Sequence, residues 1–392
     1  LINALRENDF AEIRAVVGHG ETLVRPILEN QGIVCCKQQL QLGTADAVKS
    51  AGVDSIEGSV LIANGDHPLL RGEHIRAFIE EFEQSKADVA VVTAELKNPG
   101  SFGRVIRHYE NVTAIVEAKD ASKDTLKIRE VNTGIYLVKA SILQEYLPQI
   151  KNANAQKEYY LTDIISTCVE ARKKVIAIRG PREAAFGVNT QRELAVATKS
   201  IMRRKLSALL DQGVLVIDPE TTYVESSVSV GAGSVLYPGC YLRGSTRIGS
   251  FCVIEPHVFI NDSYIENSVQ IRAGSYLEKA KIAAKATIGP YARLRPGTEI
   301  GEEAHVGNFV EMKEVKFGAG AKAGHLTYLG DAEVGEGTNI GCGTITCNYA
   351  VDKKKYKTKI GKNVFVGSDT QFIAPVEIGD DAVIGSGSTI TK

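Results

Sequence analysis

The sequence has 392 residues, of which 44% are hydrophobic and 24% are charged, and its formal net charge is −1. The length predicts two or three domains, and the composition is typical of a soluble globular protein. The near-zero charge provides no basic field for nucleic acid, and no apolar run is long enough to span a membrane. We therefore expect neither a nucleic-acid partner nor a membrane span.

Strands alternate with helices through the first half of the chain. The predicted strands are Ile13–Val17, Gly32–Cys36, Val60–Ala63, Val89–Glu95, Arg104–Arg107, Val112–Ala118, Glu130–Val138 and Val175–Arg179. The predicted helices are Gly20–Glu29, Thr44–Ala51, His74–Glu83 and Tyr160–Lys173. This alternation predicts a Rossmann-like α/β domain with a mostly parallel sheet.

Polar residues follow two of these strands, where ligands of such sheets bind. Asp66 comes directly after Val60–Ala63, and an acid with Gly65 beside it suits a magnesium ion that bridges nucleotide phosphates. An ordinary turn aspartate is the alternative. Gln38 and the run Leu42–Thr44 suit a base or phosphate contact, with a plain strand-to-helix turn as an equal alternative.

A single helix is predicted from Thr190 to about Gln212. Thr190 and Glu193 have the spacing of a capping box, and Gly213 ends the apolar stripe. We expect this helix to join two domains, although packing entirely on the first domain is an alternative.

The second half repeats an aliphatic residue every six positions. The repeat runs through Val230, Leu236, Leu242, Ile248, Ile254, Ile260, Ile265, Ile271, Leu277, Ile282, Ile288, Leu294, Ile300 and Val306, with one residue dropped before Ile265 and one before Ile282, and Ile360, Val366, Ile378, Ile384 and Ile390 close it. This period is typical of a parallel β-helix whose triangular coils bury stacked aliphatic residues. The period alone also allows a scaffold or an oligomerisation module.

Two features bear on the cellular setting and the chain ends. The seven cysteines lack C-x-x-C spacing and lie mostly at apolar positions, so we expect reduced, structural thiols in a cytoplasmic protein. The chain opens inside an amphipathic helical pattern rather than in a signal peptide, and it stops within a repeat. We expect both ends to have been cut.

Many stretches match the motifs of one family, and the match covers nearly the whole chain. In the first half they are Gln41–Thr44, Gly65–Asp66, Phe102–Arg104, Val116–Lys119, Asn132–Gly134, Glu158–Asp163 and Gly187–Asn189. In the repeats they are Ala292–Gly297, Val306–Lys313, Lys322–Asp331 and Gly343–Tyr349. On these motifs the chain resembles the bifunctional bacterial enzymes that are N-acetylglucosamine-1-phosphate uridylyltransferases and glucosamine-1-phosphate N-acetyltransferases.

The resemblance implies an α/β nucleotidyltransferase domain over 1–189, a linker helix over 190–213 and a left-handed β-helix acetyltransferase domain over 214–392. It implies acetyl transfer from acetyl-CoA to glucosamine-1-phosphate, then uridylyl transfer from UTP with Mg²⁺. The product, UDP-N-acetylglucosamine, would serve peptidoglycan and lipopolysaccharide synthesis and so cell shape. It also implies a homotrimer with acetyltransferase sites between subunits.

The family's acetyltransferase residues carry over to the repeats. His325 corresponds to the general base, and Arg295, Lys313, Tyr328 and Asn339 correspond to the glucosamine-1-phosphate site. An amine must lose a proton to become a nucleophile, and two cations one coil apart suit a phosphate. The positions implied for acetyl-CoA are Cys342, Asn348, Tyr349, Ser368 and Ser386, and Cys342 stands where small residues such as Ala are usual.

The family's uridylyltransferase residues carry over to the first half. Asp66 and Asn189 correspond to the magnesium ligands. The implied UTP and UDP-sugar positions are Gln38, Gly43, Thr44, Asn64, Gly65, Asp66, Gly103, Glu117, Asn132 and Asn189. Asn64 replaces a frequent Tyr, and Lys157 a common Gly. The family's Gly-rich UTP loop and a C-terminal Arg that contacts acetyl-CoA have no counterpart, so we expect very low pyrophosphate release and weakened acetyl transfer.

Three further interpretations stay open. The lysine-rich insert Asp352–Lys359 interrupts the repeat and could reach the phosphates of coenzyme A, or it could be a solvated loop. The chain could also be a hexose-1-phosphate nucleotidyltransferase whose repeats are regulatory. A non-enzymatic scaffold is the third interpretation.

Overall fold

The chain folds into two compact units, one from Leu1 to Ala197 and the other from Thr198 onward. The computed structural model describes residues 1–391. The division falls inside one long helix, Gln191–Asp211. Among residues 1–391, no helix combines the length and the hydropathy needed to cross a bilayer.

The first unit contains eight strands, six complete α-helices and the beginning of a seventh. The helices are α1 Ile2–Arg6, α2 Glu21–Glu29, α3 Thr44–Ser50, α4 Gly72–Ser85, α5 Ala140–Tyr146, α6 Asp163–Glu170 and α7 Gln191–Asp211. The strands are β1 Arg14–Val17, β2 Val34–Lys37, β3 Ser59–Ile62, β4 Val89–Glu95, β5 Arg104–His108, β6 Asn111–Val116, β7 Glu130–Lys139 and β8 Val175–Arg179. The predicted elements are present, and α5 was not predicted.

The sheet of the first unit is mixed, so the predicted mostly parallel sheet is wrong. Six strands form the order β6-β5-β7-β4-β8, with β3 also on β7, and only β4 and β8 run parallel among these pairs. The long strand β7 runs antiparallel to all three of its neighbours. The parallel pair β1–β2 forms a separate small sheet.

Both faces of the larger sheet are covered because side chains alternate along each strand. Val89 and Val91 of β4 belong to one apolar cluster, whereas Ala90 and Val92 belong to another. Helices α5 and α6 pack in the first cluster, and α4 packs in the second. The unit is therefore a three-layer α/β fold.

Helix α6 is shorter than the predicted helix Tyr160–Lys173 because the preceding segment is extended. The backbone N–H of Tyr159 donates to Leu42 at 2.8 Å, and its carbonyl accepts from Ala45 at 2.9 Å. These bonds hold the segment against the start of α3, and the helix begins only at Asp163.

The second unit is the predicted left-handed parallel β-helix. Its strands are β9 Leu215–Val216, β10 Tyr223–Val224, β11 Ser229–Val230, β12 Val235–Leu236, β13 Tyr241–Arg243, β14 Arg247–Ile248, β15 Val253–Ile254, β16 Phe259–Asn261, β17 Tyr264–Ile265, β18 Gln270–Ile271, β19 Tyr276–Glu278, β20 Lys281–Ile282, β21 Thr287–Ile288, β22 Arg293–Leu294, β23 Glu299–Ile300, β24 His305–Asn308, β25 Glu311–Phe317, β26 Lys322–His325, β27 Tyr328–Val334, β28 Asn339–Ile340, β29 Ile345–Cys347, β30 Thr358–Ile360, β31 Phe365–Val366, β32 Gln371–Ile373, β33 Val376–Ile378, β34 Val383–Ile384 and β35 Thr389–Ile390.

Each coil has three faces. A 17-stranded sheet wraps around two of them. The first face holds β10, β13, β16, β19, β22, β29, β32, β35 and the first halves of β25 and β27; the second holds β11, β14, β17, β20, β23, β30, β33 and the second halves of β25 and β27. A 10-stranded sheet from β9 to β34 is the third face.

The six-residue period fills the interior. Leu236, Ile254, Ile271 and Ile288 lie in direct register on four successive coils and are fully buried. Each buried aliphatic side chain stabilises the fold by about 1.5–3 kcal/mol. The prediction of a stacked aliphatic core is confirmed.

Helix α7 has the predicted capping box at its start. The N–H of Glu193 donates to Thr190 Oγ1 at 3.2 Å, and the N–H of Thr190 donates to Glu193 Oε2 at 2.8 Å. Near its end, Leu206 and Leu209 are buried in the β-helix core with Val214. The last turns of the helix therefore close one end of that core.

Candidate active sites

A row of polar side chains runs along the edge between the third and first faces. Ala323, Ile340, Val366 and Ile384 pair in register, so the residues two positions later stack on four successive coils. We call this row the histidine edge, and it consists of His325, Cys342, Ser368 and Ser386. At about 4.8 Å per coil it extends over roughly 14 Å.

Glycines keep the histidine edge shallow. A Cβ added to Gly341 would lie 2.6 Å from the backbone of Gly367, and one added to Gly367 would lie 2.5 Å from the nitrogen of Ser386. Glycine is therefore required for the coils to stack this closely. His325, Ser368 and Ser386 are exposed. An extended ligand can lie along this edge against backbone and small side chains.

A second group gathers where the first face meets the second, around Gly330. Lys313 pairs with Gly330 in register, and the pairing of Leu294 with Met312 puts Arg295 beside Lys313. A Cβ on Gly330 would lie 2.7 Å from Asn348 Nδ2 and would overlap the hydroxyl of Tyr328. The structure thus brings the side chains of Lys313, Tyr328 and Asn348 together over a glycine.

Lys355 joins this group from the insert, a residue that the sequence did not single out. The side chain of Lys355 interacts with that of Lys313, and this interaction, together with the charge of Arg295, lowers the pKa of Lys313. We call Arg295, Lys313 and Lys355 the cation cluster. Arg295 Nη1 donates to Glu311 at 2.9 Å, which is the one carboxylate bonded to it in residues 1–391. A bound phosphate would relieve the repulsion among the three cations.

The insert is a short hairpin rather than a loose loop. Tyr349 forms an antiparallel bridge with Lys355, and the N–H of Tyr356 donates to the carbonyl of Asn348 at 2.8 Å. Asp352 accepts from the hydroxyl of Tyr356 at 2.7 Å at the tip. The hairpin thereby turns Lys355 towards the cation cluster.

Within one chain the two groups lie at opposite edges of the first face. His325 precedes the corner at Leu326, and the cation cluster lies at the corner of Glu314 and Asp331. The intervening strand segment, from Tyr328 to Gly330, is about 10 Å long. Asn339 pairs with Lys322 at the far end of the third face. A single chain therefore does not bring His325 or Asn339 to the cation cluster.

The predicted magnesium ligands of the first unit lie in adjacent segments. The N–H of Val188 donates to the carbonyl of Asp66 at 2.9 Å, which brings Asn189 close to Asp66. Asp66 Oδ1 is buried and has no hydrogen-bond partner in residues 1–391, and it lies 3.5 Å from His67 Nε2. Burial lowers the pKa of His67, so a neutral ring leaves the carboxylate charge uncompensated.

Carboxylate and amide oxygens are ligands that Mg²⁺ accepts together with waters and phosphates. Within residues 1–391, no three His, Cys, Asp or Glu side chains are arranged to hold a metal. The orphaned Asp66 oxygen therefore fits an ion that takes few ligands from the protein and the rest from its substrate.

Three predicted sugar-site residues form one cluster. The N–H of Asn132 donates to the carbonyl of Gly103 at 2.9 Å, and a Cβ on Gly103 would lie 3.3 Å from both oxygens of Glu117. Burial raises the pKa of Glu117, and the Thr162 hydroxyl partly opposes that shift. Asn64 lies beside Gly134, two residues beyond Asn132. The cluster offers a carboxylate and amides for sugar hydroxyls.

The predicted nucleotide residues are fixed by backbone contacts. Gln38 Nε2 donates to Asp46 at 2.8 Å and to the carbonyl of Gly43 at 3.1 Å. Gly43 has φ 119°, and a Cβ there would lie 2.7 Å from the nitrogen of Tyr159. Thr44 Oγ1 accepts from the N–H of Leu161. A Cβ added to Gly65 would meet no atom of residues 1–391 within 4 Å, so the space beside its backbone is open.

Two known protein-family models match this chain, one in each unit. Residues 1–131 match the MobA-like NTP transferase domain, and residues 357–392 match the bacterial transferase hexapeptide of six repeats. The chain is 62% identical to the bifunctional protein GlmU of Bdellovibrio bacteriovorus over 392 residues, which cover 100% of this chain and 86% of that protein. The chain belongs to the bifunctional GlmU family.

Other GlmU proteins agree over almost the same length. The protein of Carboxydothermus hydrogenoformans is 44% identical over 96% of this chain and 84% of its own length. That of Trichlorobacter lovleyi is 43% identical over 99% of this chain and 85% of its own length. As in the GlmU family, this chain is a bifunctional transferase with a uridylyltransferase unit and a hexapeptide acetyltransferase unit.

Proposed function

We propose that this chain makes UDP-N-acetylglucosamine in two steps. The hexapeptide unit acetylates glucosamine-1-phosphate with acetyl-CoA, and the α/β unit then joins the product to UMP from UTP with release of pyrophosphate. The main support for the first step is the cation cluster of Arg295, Lys313 and Lys355, whose positive charges suit the phosphate of glucosamine-1-phosphate. Tyr328 lies against it and suits a sugar hydroxyl.

His325 is the proposed general base of acetyl transfer. As the amine nitrogen attacks the thioester carbonyl, the new C–N bond forms and the C–S bond to coenzyme A breaks. The imidazole takes the proton that the amine must lose and returns it to the leaving thiolate. Cys342, Ser368 and Ser386 continue the histidine edge and would line the extended arm of acetyl-CoA.

A matched pair of histidine variants tests this role. His325→Asn should lower acetyl transfer by about 10²–10⁴-fold, measured as free-thiol release from acetyl-CoA. His257→Asn is the control, because His257 is an exposed β-helix histidine with φ 59°, which Asn tolerates. Undiminished thiol release by His325→Asn would reject the base assignment.

The proposed active unit is a homotrimer whose acetyltransferase sites lie between subunits. The separation of the histidine edge from the cation cluster supports this proposal. Each chain carries these two halves of a site at different edges, so a complete site needs halves from two chains. Coexpressed His325→Asn and Lys313→Ala chains should then recover about a quarter of wild-type activity by random assortment, although each alone is inactive. No recovery in the mixed oligomer would indicate that each site comes from a single chain.

In the α/β unit, Asp66 and Asn189 are the proposed holders of Mg²⁺, which would neutralise nucleotide phosphate charge when bound. Glu117, Asn132 and Gly103 would orient the sugar, while Gln38, Gly43 and Thr44 would contact the uridine nucleotide. Calorimetry with Mn²⁺ in place of Mg²⁺ tests the metal site without turnover: Asp66→Asn should abolish binding, whereas the exposed Asp124→Asn should not. Equal binding by both variants would reject the site.

A cytoplasmic location is proposed from the thiols. All seven cysteines are free, and Cys168, Cys240 and Cys252 are buried. Burial raises the pKa of the Cys168 and Cys240 thiols to about 11. Such unreactive thiols suit a reducing compartment.

A further inference from the structure

Asp331 is a buried carboxylate at a tight corner of the β-helix. Its side chain and backbone are only 8% exposed, and its φ of 47° is left-handed. A buried ionised group needs close partners, since desolvation otherwise costs several kcal/mol. The partners of Asp331 therefore indicate what holds it there.

The first partner is the side chain of Asn348 on the next coil. Asn348 Nδ2 donates to Asp331 Oδ2, and Asn348 is itself only 8% exposed. Because the carbonyl of Asn348 accepts from Tyr356, this residue is also the base of the insert hairpin. The bond to Asp331 thus fixes both an amide beside Tyr328 and the root of the hairpin.

The second partner is the positive charge of Lys355, which acts on Asp331 through space. The interaction with Lys313 and the negative charge of Asp331 raise the pKa of Lys355. Without a ligand, two cations beside Arg295 repel each other. The negative charge of the Asp331 carboxylate offsets that repulsion. Glu314, whose carboxylate lies 3.9 Å from the Lys313 ammonium, offsets it further.

We propose that Asp331 is a positioning residue for acetyl transfer, holding the Asn348 amide and the Lys355 hairpin in place so that both substrate contacts are assembled before binding. This inference rests on the proposed acetyltransferase function. Preassembly matters because ordering a hairpin on binding would weaken affinity.

The competing explanation is that Asp331 only stabilises its own corner of the β-helix. Another aspartate of the same chain has that local role. Asp262 lies at the same corner four coils earlier, in the series Asp262, Lys279, Gly297, Glu314 and Asp331, and its φ is 48°. Asp262 Oδ1 accepts from the N–H of Ser245 at 2.9 Å, and its half-buried carboxylate bonds only to residues of the corner in residues 1–391. It provides a matched control.

Two substitutions separate the two partners of Asp331. Asp331→Asn keeps an acceptor oxygen and tolerates the left-handed backbone, so only the charge is lost. We expect the KM for glucosamine-1-phosphate to rise about threefold, with the KM for acetyl-CoA nearly unchanged. Asp331→Gly removes both interactions without backbone strain, and both KM values should rise about tenfold. Asp262→Asn and Asp262→Gly should leave both KM values unchanged.

A readout that needs no activity keeps the test valid if the proposed function fails. Hydrogen exchange of the Tyr356 amide should become at least about tenfold faster in Asp331→Gly than in Asp262→Gly, because the hairpin loses its anchor. If the wild-type protein showed no acetyl transfer, the proposed function would be refuted. The exchange rates would still test whether Asp331 anchors the hairpin through Asn348. Unchanged KM values, or equal Tyr356 exchange in both glycine variants, would overturn the inference.

Discussion

Alanine at position 330 should damage the acetyltransferase site while leaving the fold intact. The backbone of Gly330 does not have a left-handed φ, so alanine can adopt it. The added methyl would lie 2.7 Å from Asn348 Nδ2, whereas ordinary contact begins near 3.4 Å. The Asn348 amide must therefore retreat by about 0.7 Å, and the Tyr328 hydroxyl must move farther.

The size of the effect follows from that displacement. A shift of about 1 Å in a positioned group can cost about 100-fold in rate, which corresponds to roughly 2.7 kcal/mol. Both affected atoms are ends of side chains, so the fold should lose at most about 1–3 kcal/mol from overpacking. We expect kcat/KM to fall about 100-fold for both substrates, because Tyr328 is the proposed sugar contact and Asn348 the proposed acetyl-CoA contact.

Thiol release and thermal unfolding should be measured on the same preparations. Gly379→Ala is the control, since a Cβ there meets no atom of residues 1–391 within 4 Å and its φ is not left-handed. This control should keep wild-type activity and Tm. If folded Gly330→Ala keeps activity within about threefold of wild type, the displacement argument is wrong.

Three further predictions concern stability. Gly43→Ala should destabilise the α/β unit by about 3 kcal/mol, because φ is 119° and the Cβ would press on Tyr159; an unchanged Tm would contradict this. Burial alone would raise the pKa of Glu130, but the hydrogen bonds from Arg107 and Thr93 and the charge of Arg107 together lower it. The bidentate pair with Arg107 therefore stabilises the fold above about pH 4.3, and this stabilisation is lost as the pH falls through the lowered pKa. Glu130→Gln should thus cost roughly 1–2 kcal/mol at pH 7 and flatten the acid limb of denaturant midpoints, and an unaltered limb would count against the pair. Ile254→Ala, at a fully buried position, should lower the free energy of unfolding by about 2–5 kcal/mol in urea, and a loss below about 1 kcal/mol would show that the core relaxes there.

The β-helix could be predicted closely because its signal is local and repeated. The residue that points inward in one coil lies directly above its counterpart in the next, so Leu236 and Ile254 each carry the same information. The sheet of the α/β unit could not be predicted so well. Its antiparallel strand β7 is an apolar run like its neighbours, and strand direction depends on where the connections pass rather than on composition.

The site residues divide in a similar way. Arg295 and Lys313 could be placed together from coil length alone, and their adjacency is confirmed. Lys355 could not, because the hairpin that carries it breaks the six-residue period and its return path depends on the anchor at Asn348. The lysine run of the insert was a signal of charge, but not of which lysine would face the cluster.

Irregularity at one corner explains why the cation cluster forms there. In the coils that carry Glu314 and Asp331, a single left-handed residue turns the chain between the first and second faces. In the next coil the hairpin replaces that residue, and it can project a lysine back over the preceding coils. A regular coil presents its side chains outward in parallel rows and cannot converge three cations on one point. The buried Asp331 carboxylate is what such convergence requires, since like charges held together without a ligand need a fixed counter-charge beside them.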